Sequence, residues 1–309
     1  MVSYAGDGGI DNAALIQFER TFLQLAQQER SMLESSGVVK FLPSDGKWNT
    51  LPRMGKLELT EVEGRNPRKQ YTDYSLDNRM LRKRRFTATV LLDEKDDINE
   101  LITDPSSYVM RNLLAAKNRV ADRVYAAAAV GPVLVGAPDG VRSSVSAAAD
   151  GVVTIDATSG VNYGTYEAVI QKFINKDLPM DLILKAKLLI TGKENTALMS
   201  EDKFINSRYI ENRPVNDGYM KHAGALETIL FAGSETGGIT VNNPILPEAS
   251  TTRYCMALAP DAIAASVEIG SLRFEKSAEH VNSKELTIDY WINAMRTEGS
   301  RVIKIETTM

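Results

Sequence analysis

The run DPSSYVMRNLLAAKNRVADRVYAAAAVGP, residues 104–132, constrains this chain more than any other stretch. Asp104 carries an N-cap side chain, Pro105 suits the first helical position, and Gly131-Pro132 stops the run. In between, Val109, Leu113, Ala116, Val120 and Val124 recur at three- and four-residue steps, with Arg111, Lys117, Arg119 and Arg123 largely off that stripe. The pattern predicts a helix over about 105–130, roughly 39 Å long at ~1.5 Å per residue. The rest of the chain has to be laid out along this rod.

Upstream, NAALIQFERTFLQLAQQERSMLESSG places Leu15, Phe18, Phe22, Leu25 and Met32 on one apolar stripe, and Gly37 supplies a stop. Glu29 interrupts the seam, so an amphipathic helix is expected rather than a sustained coiled coil. Its apolar side packs either on the chain's own core or on a neighbouring subunit. Residues 38–92 read as extended. GKLELTEVE alternates Leu57 and Leu59 with polar residues, and RFTATVL alternates Phe86, Ala88 and Val90 with Arg85, Thr87 and Thr89. The polar link GRNPRKQYTDYSLDNRM between them suggests a hairpin arm. An isolated two-stranded hairpin is marginal in water, so such an arm should rest on another molecule.

Downstream come strand-like PVLVGA and GVVTID, and a helix in YGTYEAVIQKFINKD with Val169, Phe173 and Ile174 on one side. A buried run LILKAKLLIT follows, then helical KENTALMSEDKFIN, then a strand in ETILFAGSETGGI that enters a Gly-rich loop. RYCMALA, SLRFEKSA, ELTIDYWINAMRT and RVIKIETT read as closing strands. With no internal repeat, the expectation is an α+β fold, its arm at the front and a closing sheet at the end.

Chemistry is thinly supplied. His222 and His280 are the two histidines, both in polar contexts that suit solvated side chains, and Cys255 is the single cysteine. A His-rich metal site, a zinc half-site of two cysteines and an intramolecular disulfide are therefore excluded, and a reducing compartment fits. Neither a GxSxG elbow nor a P-loop is present, and GDGGI and GSETGG read as loops. No catalytic residue, cofactor or metal is expected, and the chain reads as a non-enzyme. The start MVSYAGDGGID lacks the blocks of a signal peptide, and VYAAAAVGPVLVGA is too short and too broken to span a membrane, so residence in cytoplasm is expected.

Lys plus Arg total 36 against 40 Asp plus Glu, a net charge of −4, which is no global footprint of a nucleic-acid binder. The charge is patterned locally in RMLRKRRFTATVLLDEKDD, residues 79–97. Arg79, Arg82, Lys83, Arg84 and Arg85 open it; Asp93, Glu94, Asp96 and Asp97 close it. Arginines near Tyr71 and Tyr74 suit phosphate and base stacking, so a nucleic-acid contact is one reading. The carboxylates roughly 25–30 Å further along an extended strand oppose it. A dipolar strand of this kind suits head-to-tail contact with an identical copy, and a pair of solvated charge patches is the plain alternative.

The order of these elements resembles the major capsid proteins of tailed bacteriophages with the Hong Kong 97-type fold. LLDEKDDINELITDPSSYVMRNLLAAKNRVADRVYAAAAVG carries most of the likeness. In one branch of that family acidic residues precede a Leu-Ile-Asp-Pro-Ser-Tyr element, a helix with spaced Arg and Asp, and then Ala-Ala-x-Gly. YWINAMRTEGSRVIKIE resembles that family's final strands. The resemblance implies an N-terminal arm over 1–42 and an extended β-hairpin loop over 43–95. It also implies a peripheral domain over 96–164 and 271–309 with a spine helix at about 105–130, and an axial domain over 165–270. It implies self-assembly through hexamers and pentamers into an icosahedral virion shell, built in host cytoplasm around double-stranded DNA held by non-specific proximity. A separate scaffolding protein, a portal and a decoration protein are the partners implied, with no membrane. An encapsulin-like compartment shares the fold, and a nucleic-acid-binding protein using Arg79 to Arg85 is the reading from another class. Lys56 and Lys69 lie in the implied loop, but no motif there selects a cross-link partner.

Overall fold

The rod forms as an α-helix from Pro105 to Val130, 26 residues long. The computed structural model describes residues 28–43, 48–61, 71–93, 105–136, 140–205, 219–233, 244–249, 251–277 and 283–308. The Asp104 cap, the stripe Leu15–Leu25, GDGGI, nearly all of GSETGG, His280 and the carboxylates Glu94, Asp96 and Asp97 lie outside the described residues.

In chain order the elements are helix α1 (Met32–Ser35) and strands β1 (Val39–Phe41), β2 (Trp48–Met54), β3 (Leu76–Arg82) and β4 (Arg84–Asp93), followed by the rod, α2. Next come β5 (Val133–Gly136), β6 (Arg142–Val145), β7 (Val153–Asp156), α3 (Tyr163–Asn175), α4 (Met180–Ile183), β8 (Lys187–Thr191), α5 (Gly192–Met199) and α6 (Asp202–Ile205). β9 (His222–Ala223), β10 (Leu226–Phe231), β11 (Glu248–Ala249), β12 (Thr252–Leu258), β13 (Ile263–Lys276), β14 (Ser283–Arg296) and β15 (Val302–Thr308) close the chain.

Among the described residues the strands form three sheets, ordered β1-β13-β14-β4, β7-β15-β12-β8-β10-β9 with β11 beside β12, and β2-β3-β5-β6. The first is a long antiparallel platform in which Phe86, Ala88 and Val90 of β4 pack on the core while Arg85, Thr87 and Thr89 face out, as their period of two predicts. Leu286, Ile288, Tyr290 and Ile292 of β14 are buried at the same period, and the rod lies across this strand. The second sheet explains the unbroken apolar runs. Leu188, Leu189 and Ile190 pair in parallel with β10, Met256, Ala257 and Leu258 pair antiparallel with β15, and all are buried. Helix α3 is fixed at its start by a reciprocal cap between Asn162 and Thr165 and buries Val169 and Phe173.

Several elements differ from the sequence expectation. The N-terminal helix is not continuous to Gly37, because residues 28–31 are non-helical and α1 holds four residues. Its buried residue is Leu33 rather than Met32. The cause is Asp122 on the rod. Its carboxylate accepts from Met32 N at 3.0 Å and Leu33 N at 3.2 Å, and from Ser31 Oγ and Gln28 Nε2. These are the orphan donors of a helix start. Tyr125 Oη donates to Glu34 at 2.8 Å, and Asn118 Nδ2 to the Glu29 carbonyl at 2.6 Å. Burial pushes the Asp122 carboxyl up, with the four donors pulling the other way. The rod's buried face is Leu113, Ala115, Ala121, Asp122, Tyr125, Ala126 and Ala129; of the expected stripe Leu113 is buried, Val124 packs half-buried on the core, and Ala116 and Val120 are half-buried. Ile174 of α3 is exposed, LILKAKLLIT divides into α4 and β8, and KENTALMSEDKFIN divides into α5 and α6.

GKLELTEVE is not a strand over its described part. The hairpin is made by WNTLPRM and LDNRMLR one segment earlier, β2 on β3, and residues 56–61 continue beyond it with no ladder partner among the described residues. RFTATVL does not return the hairpin either. A single residue, Lys83, separates β3 from β4, which joins the platform beside β14. The expected domain limits also cut across sheets, since β13 runs through residue 270, and β7 and β15 pair within the second sheet.

Asp122→Ala removes one acceptor from four donors and is expected to cost about 3 kcal/mol. A lower urea midpoint and faster amide exchange at Met32 and Leu33 would show it, and an unchanged midpoint would discount the anchor.

Candidate intersubunit arm

The arm begins at a buried ionic clamp. Asp150, on the turn before β7, faces Arg79 of β3 and Arg296 at the end of β14, with Arg53 of β2 at 3.8 Å. Arg296 Nε donates to Asp150 at 2.7 Å and Arg79 Nη1 at 3.1 Å; Arg79 Nη2 also pairs with it, and Arg79 Nη1 donates to the Arg296 carbonyl at 2.7 Å. Arg296 Nη1 turns the other way and donates to the Ala129 and Gly131 carbonyls at 2.8 and 3.0 Å, the unpaired end of the rod. Gly299 packs so closely on the Asp150 backbone that a Cβ has no room. Burial alone would raise the Asp150 carboxyl, but the hydrogen bonds and charges of Arg79 and Arg296 hold it below its ordinary value. Burial lowers Arg296, and Asp150 opposes that shift.

From the clamp the shaft runs outward as β2 on β3, from Trp48 opposite Arg82 to Met54 opposite Leu76, with Gly55 N to Ser75 O at 2.9 Å as the last rung. Arg53 Nη2 reaches Asp77 at 2.8 Å across the shaft. Beyond it the chain leaves Met54, Leu57, Tyr71, Tyr74 and Leu76 exposed, and Leu59 is 103% exposed. Exposed apolar side chains of this number make the segment a candidate contact surface.

The basic run separates into three kinds of residue. Arg79 is 1% exposed and committed to Asp150, which corrects its reading as a contact residue: a buried carboxylate and carbonyl take its donors. Lys83 Nζ sits 2.6 Å from Glu268, and Arg85 binds Asp289 through Nε at 3.2 Å and Nη2 at 2.7 Å. Arg82 and Arg84 stay exposed, with the Arg82 guanidinium 5.9 Å from the Trp48 ring and Arg142 at 4.4 Å. Arg82, Lys83, Arg84 and Arg85 border a cleft of about 640 Å³ between β3, β5 and β14. Its apolar wall includes Met80, Leu81, Val133, Leu134 and Met295, and Trp291 stands at its rim, 37% exposed. Asp93 ends β4 opposite Ser283, roughly 27 Å along the strand from Arg85; Glu94, Asp96 and Asp97 follow it outside the described residues.

Sequence reasoning missed Asp150, Arg53 and Arg296. The clamp joins positions 71 and 146 residues apart, which no local motif reports. One signal was present: Arg296 continues the inward phase of Leu286, Ile288, Tyr290 and Ile292, where a charge demands a buried partner. A second buried pair, Arg253 Nη1 to Glu194 at 3.2 Å and Arg253 Nε to Glu248 at 2.9 Å, ties β12 to α5 and β11. The second network takes in the hydroxyls of Thr191 and Thr307, and Thr307 Oγ1 lies 3.9 Å from Cys255 Sγ. Burial pushes the nearby Cys255 thiol up, so it stays protonated, and His222 is exposed. Among the described residues no cluster of metal-ligating side chains is found, and no helix is long and apolar enough to cross a membrane.

A family model described as phage capsid protein matches residues 10–309. No curated protein matches the sequence. Solved structures do. The head of Helicobacter pylori bacteriophage KHP40 superposes with a TM-score of 0.72 at 9% identity, covering 99% of this chain and 99% of that one. The capsid of cyanophage P-SCSP1u gives 0.68 at 12% identity, with 99% and 96% covered. The capsid of Ralstonia phage GP4 gives 0.65 at 12% identity, with 100% and 98% covered. At these identities the likeness is one of fold, extending end to end.

Asp150→Asn leaves two buried guanidinium groups facing each other and is expected to destabilise by about 3–5 kcal/mol. The Asp150 carboxyl is depressed in the folded state, so its contribution is complete above the unfolded value near ~4 and is lost as pH falls through the folded one. Urea midpoints should therefore drop on acidification below about pH 4 in the parent and drop less in Asp150→Asn. Parallel pH profiles would refute this role.

Proposed function

The chain belongs to the phage capsid protein family and is a major capsid protein, and on that premise we propose that copies of it assemble through hexamers and pentamers into the icosahedral shell of a virion enclosing double-stranded DNA. The observation that carries the mechanism is the arm: a shaft clamped at its root, with Leu57, Leu59 and Tyr71 left uncovered by their own chain. Each arm lies across a neighbouring subunit, and the rod and platform keep its direction fixed. The protein works by assembly rather than by catalysis.

The long platform with the rod forms a peripheral body, and the second sheet with α3 and α5 an axial one whose loops gather at the symmetry axes. β7 and β15 go with the axial sheet, and β13 with the platform. Arg82 and Arg84, where β3 passes into β4, and Asp93 with Glu94, Asp96 and Asp97 at the other end of the basic-to-acidic run, serve contacts between copies. A separate scaffolding protein, a portal and a decoration protein complete the particle, which is assembled in host cytoplasm, and packaged DNA is held by proximity rather than by a specific site.

Purified protein, alone and with the scaffolding protein, is expected to give shells, tubes or capsomer-sized rings by sedimentation and electron microscopy. A stable monomer under every assembly condition refutes the proposal.

A further inference from the structure

β4 closes the platform on one side, and among the described residues β14 is the only strand paired with it. It runs ten residues in unbroken register, with no Pro and no bulge. Such devices keep an edge strand from pairing with another chain. Other edges are blunted, β1 by its three residues and β2 by Pro52. The apolar layer also stops half-covered at β4. Phe86, Ala88 and Val90 are half-buried, while Tyr290, Ile288 and Leu286 opposite them on β14 are buried.

Charge selects what covers this edge. A strand basic at its start and acidic at its end is complementary to a copy of itself laid antiparallel. Arg84 and Arg85 open β4, and Asp93 closes it. In a continuous sheet, residues opposite each other share a face, so their positions must share parity. Placing Thr89 opposite Thr89 satisfies this and sets Arg85 opposite Asp93, Thr87 opposite Leu91 and Ala88 opposite Val90. The same register brings Arg84 to the sequence position of Glu94, the next carboxylate of the run. A shift by one allowed step loses the match, because Arg85 then meets Leu91 or Lys95.

We propose that β4 pairs antiparallel with β4 of a second copy about a two-fold axis at Thr89, joining two four-stranded platforms into one continuous sheet. The inference rests on the shell reading above, whose icosahedral symmetry contains two-fold axes, and names a strand that lies on them. Arg85 is presented for this contact by Asp289, which takes its Nε and Nη2 out of a guanidinium's five donors.

A single cysteine tests it, because a two-fold contact is what brings a residue opposite itself. Cys255 of the parent chain is buried, so a short bifunctional thiol reagent should link the chains of Thr89→Cys shells into dimers. Thr287→Cys, one strand further from the axis on each side, should stay monomeric. Arg84→Glu should lower the yield of sedimentable shells about ten-fold, and Glu94→Arg in the same chain should restore it. Parent-like shells whose Thr89→Cys chains remain monomers would overturn the proposal, leaving this edge to another part of the same chain or to a different protein. Should Thr89→Cys fail to fold, the Arg84 and Glu94 exchange decides alone, and failed restoration overturns it. If the parent chain forms no shells, the shell reading falls; linked Thr89→Cys dimers in solution would still uphold the strand contact, and monomers would end both.

Discussion

Asp150 is the point at which the arm, the rod and the platform are joined. One carboxylate sits between Arg79 and Arg296, and Arg296 reaches on to the last carbonyls of the rod. Removed from water, two guanidinium groups in such proximity repel each other, so the carboxylate is what lets both be buried. Its net contribution to stability is small beside an apolar substitute of the same shape, because desolvation offsets most of the attraction. What an apolar filling could not supply is direction. Bidentate contacts and a helix-end acceptor fix how β3 leaves the body, and hence where the arm points.

The arm's stiffness falls with distance from that point. At Arg79 and Met80, β3 is paired on both sides, by β2 and β5; among the described residues it has β2 alone from Asn78 outward, and no rung follows Gly55. The root is therefore aimed by a buried network, while the distal part adapts by bending a two-stranded ribbon. A shell that places one sequence in unequal surroundings needs both properties, an aimed root and a compliant reach. The N-terminal segment repeats the design: Asp122 holds α1 on the rod through the backbone donors of Met32 and Leu33 and the side chains of Gln28 and Ser31.

Elements governed by local periodicity were legible in the sequence. The rod ends where Pro105 and Gly131-Pro132 place its limits, and β4 alternates as Phe86, Ala88 and Val90 demand. What was not legible depends on polar groups that tertiary contacts bury. Asp122 counts as a surface residue in any hydrophobic stripe, yet it is buried where it faces the N-terminal segment. Arg79 belongs by composition to a basic run, and its acceptor lies 71 residues away. GKLELTEVE has the alternation of a strand but finds no ladder partner among the described residues, so periodicity alone misplaced the hairpin by one segment. The resemblance to tailed-phage capsid proteins identified the family, while the residues that aim and anchor the arm became visible only with the fold.

The energetics of the arm favour rings over pairs. Burying Leu57 and Leu59 against a neighbour gains about 1.5–3 kcal/mol each. Association costs at least ~4 kcal/mol in lost translation and rotation, before the bare stretch is ordered. One arm on one neighbour therefore leaves little surplus, and an open pair would still expose a second arm. A closed ring changes this, since the last contact forms within an assembly already held together and no end remains bare. The same weakness lets a misplaced subunit leave before closure, which a shell of many identical parts requires if it is to correct itself while it grows.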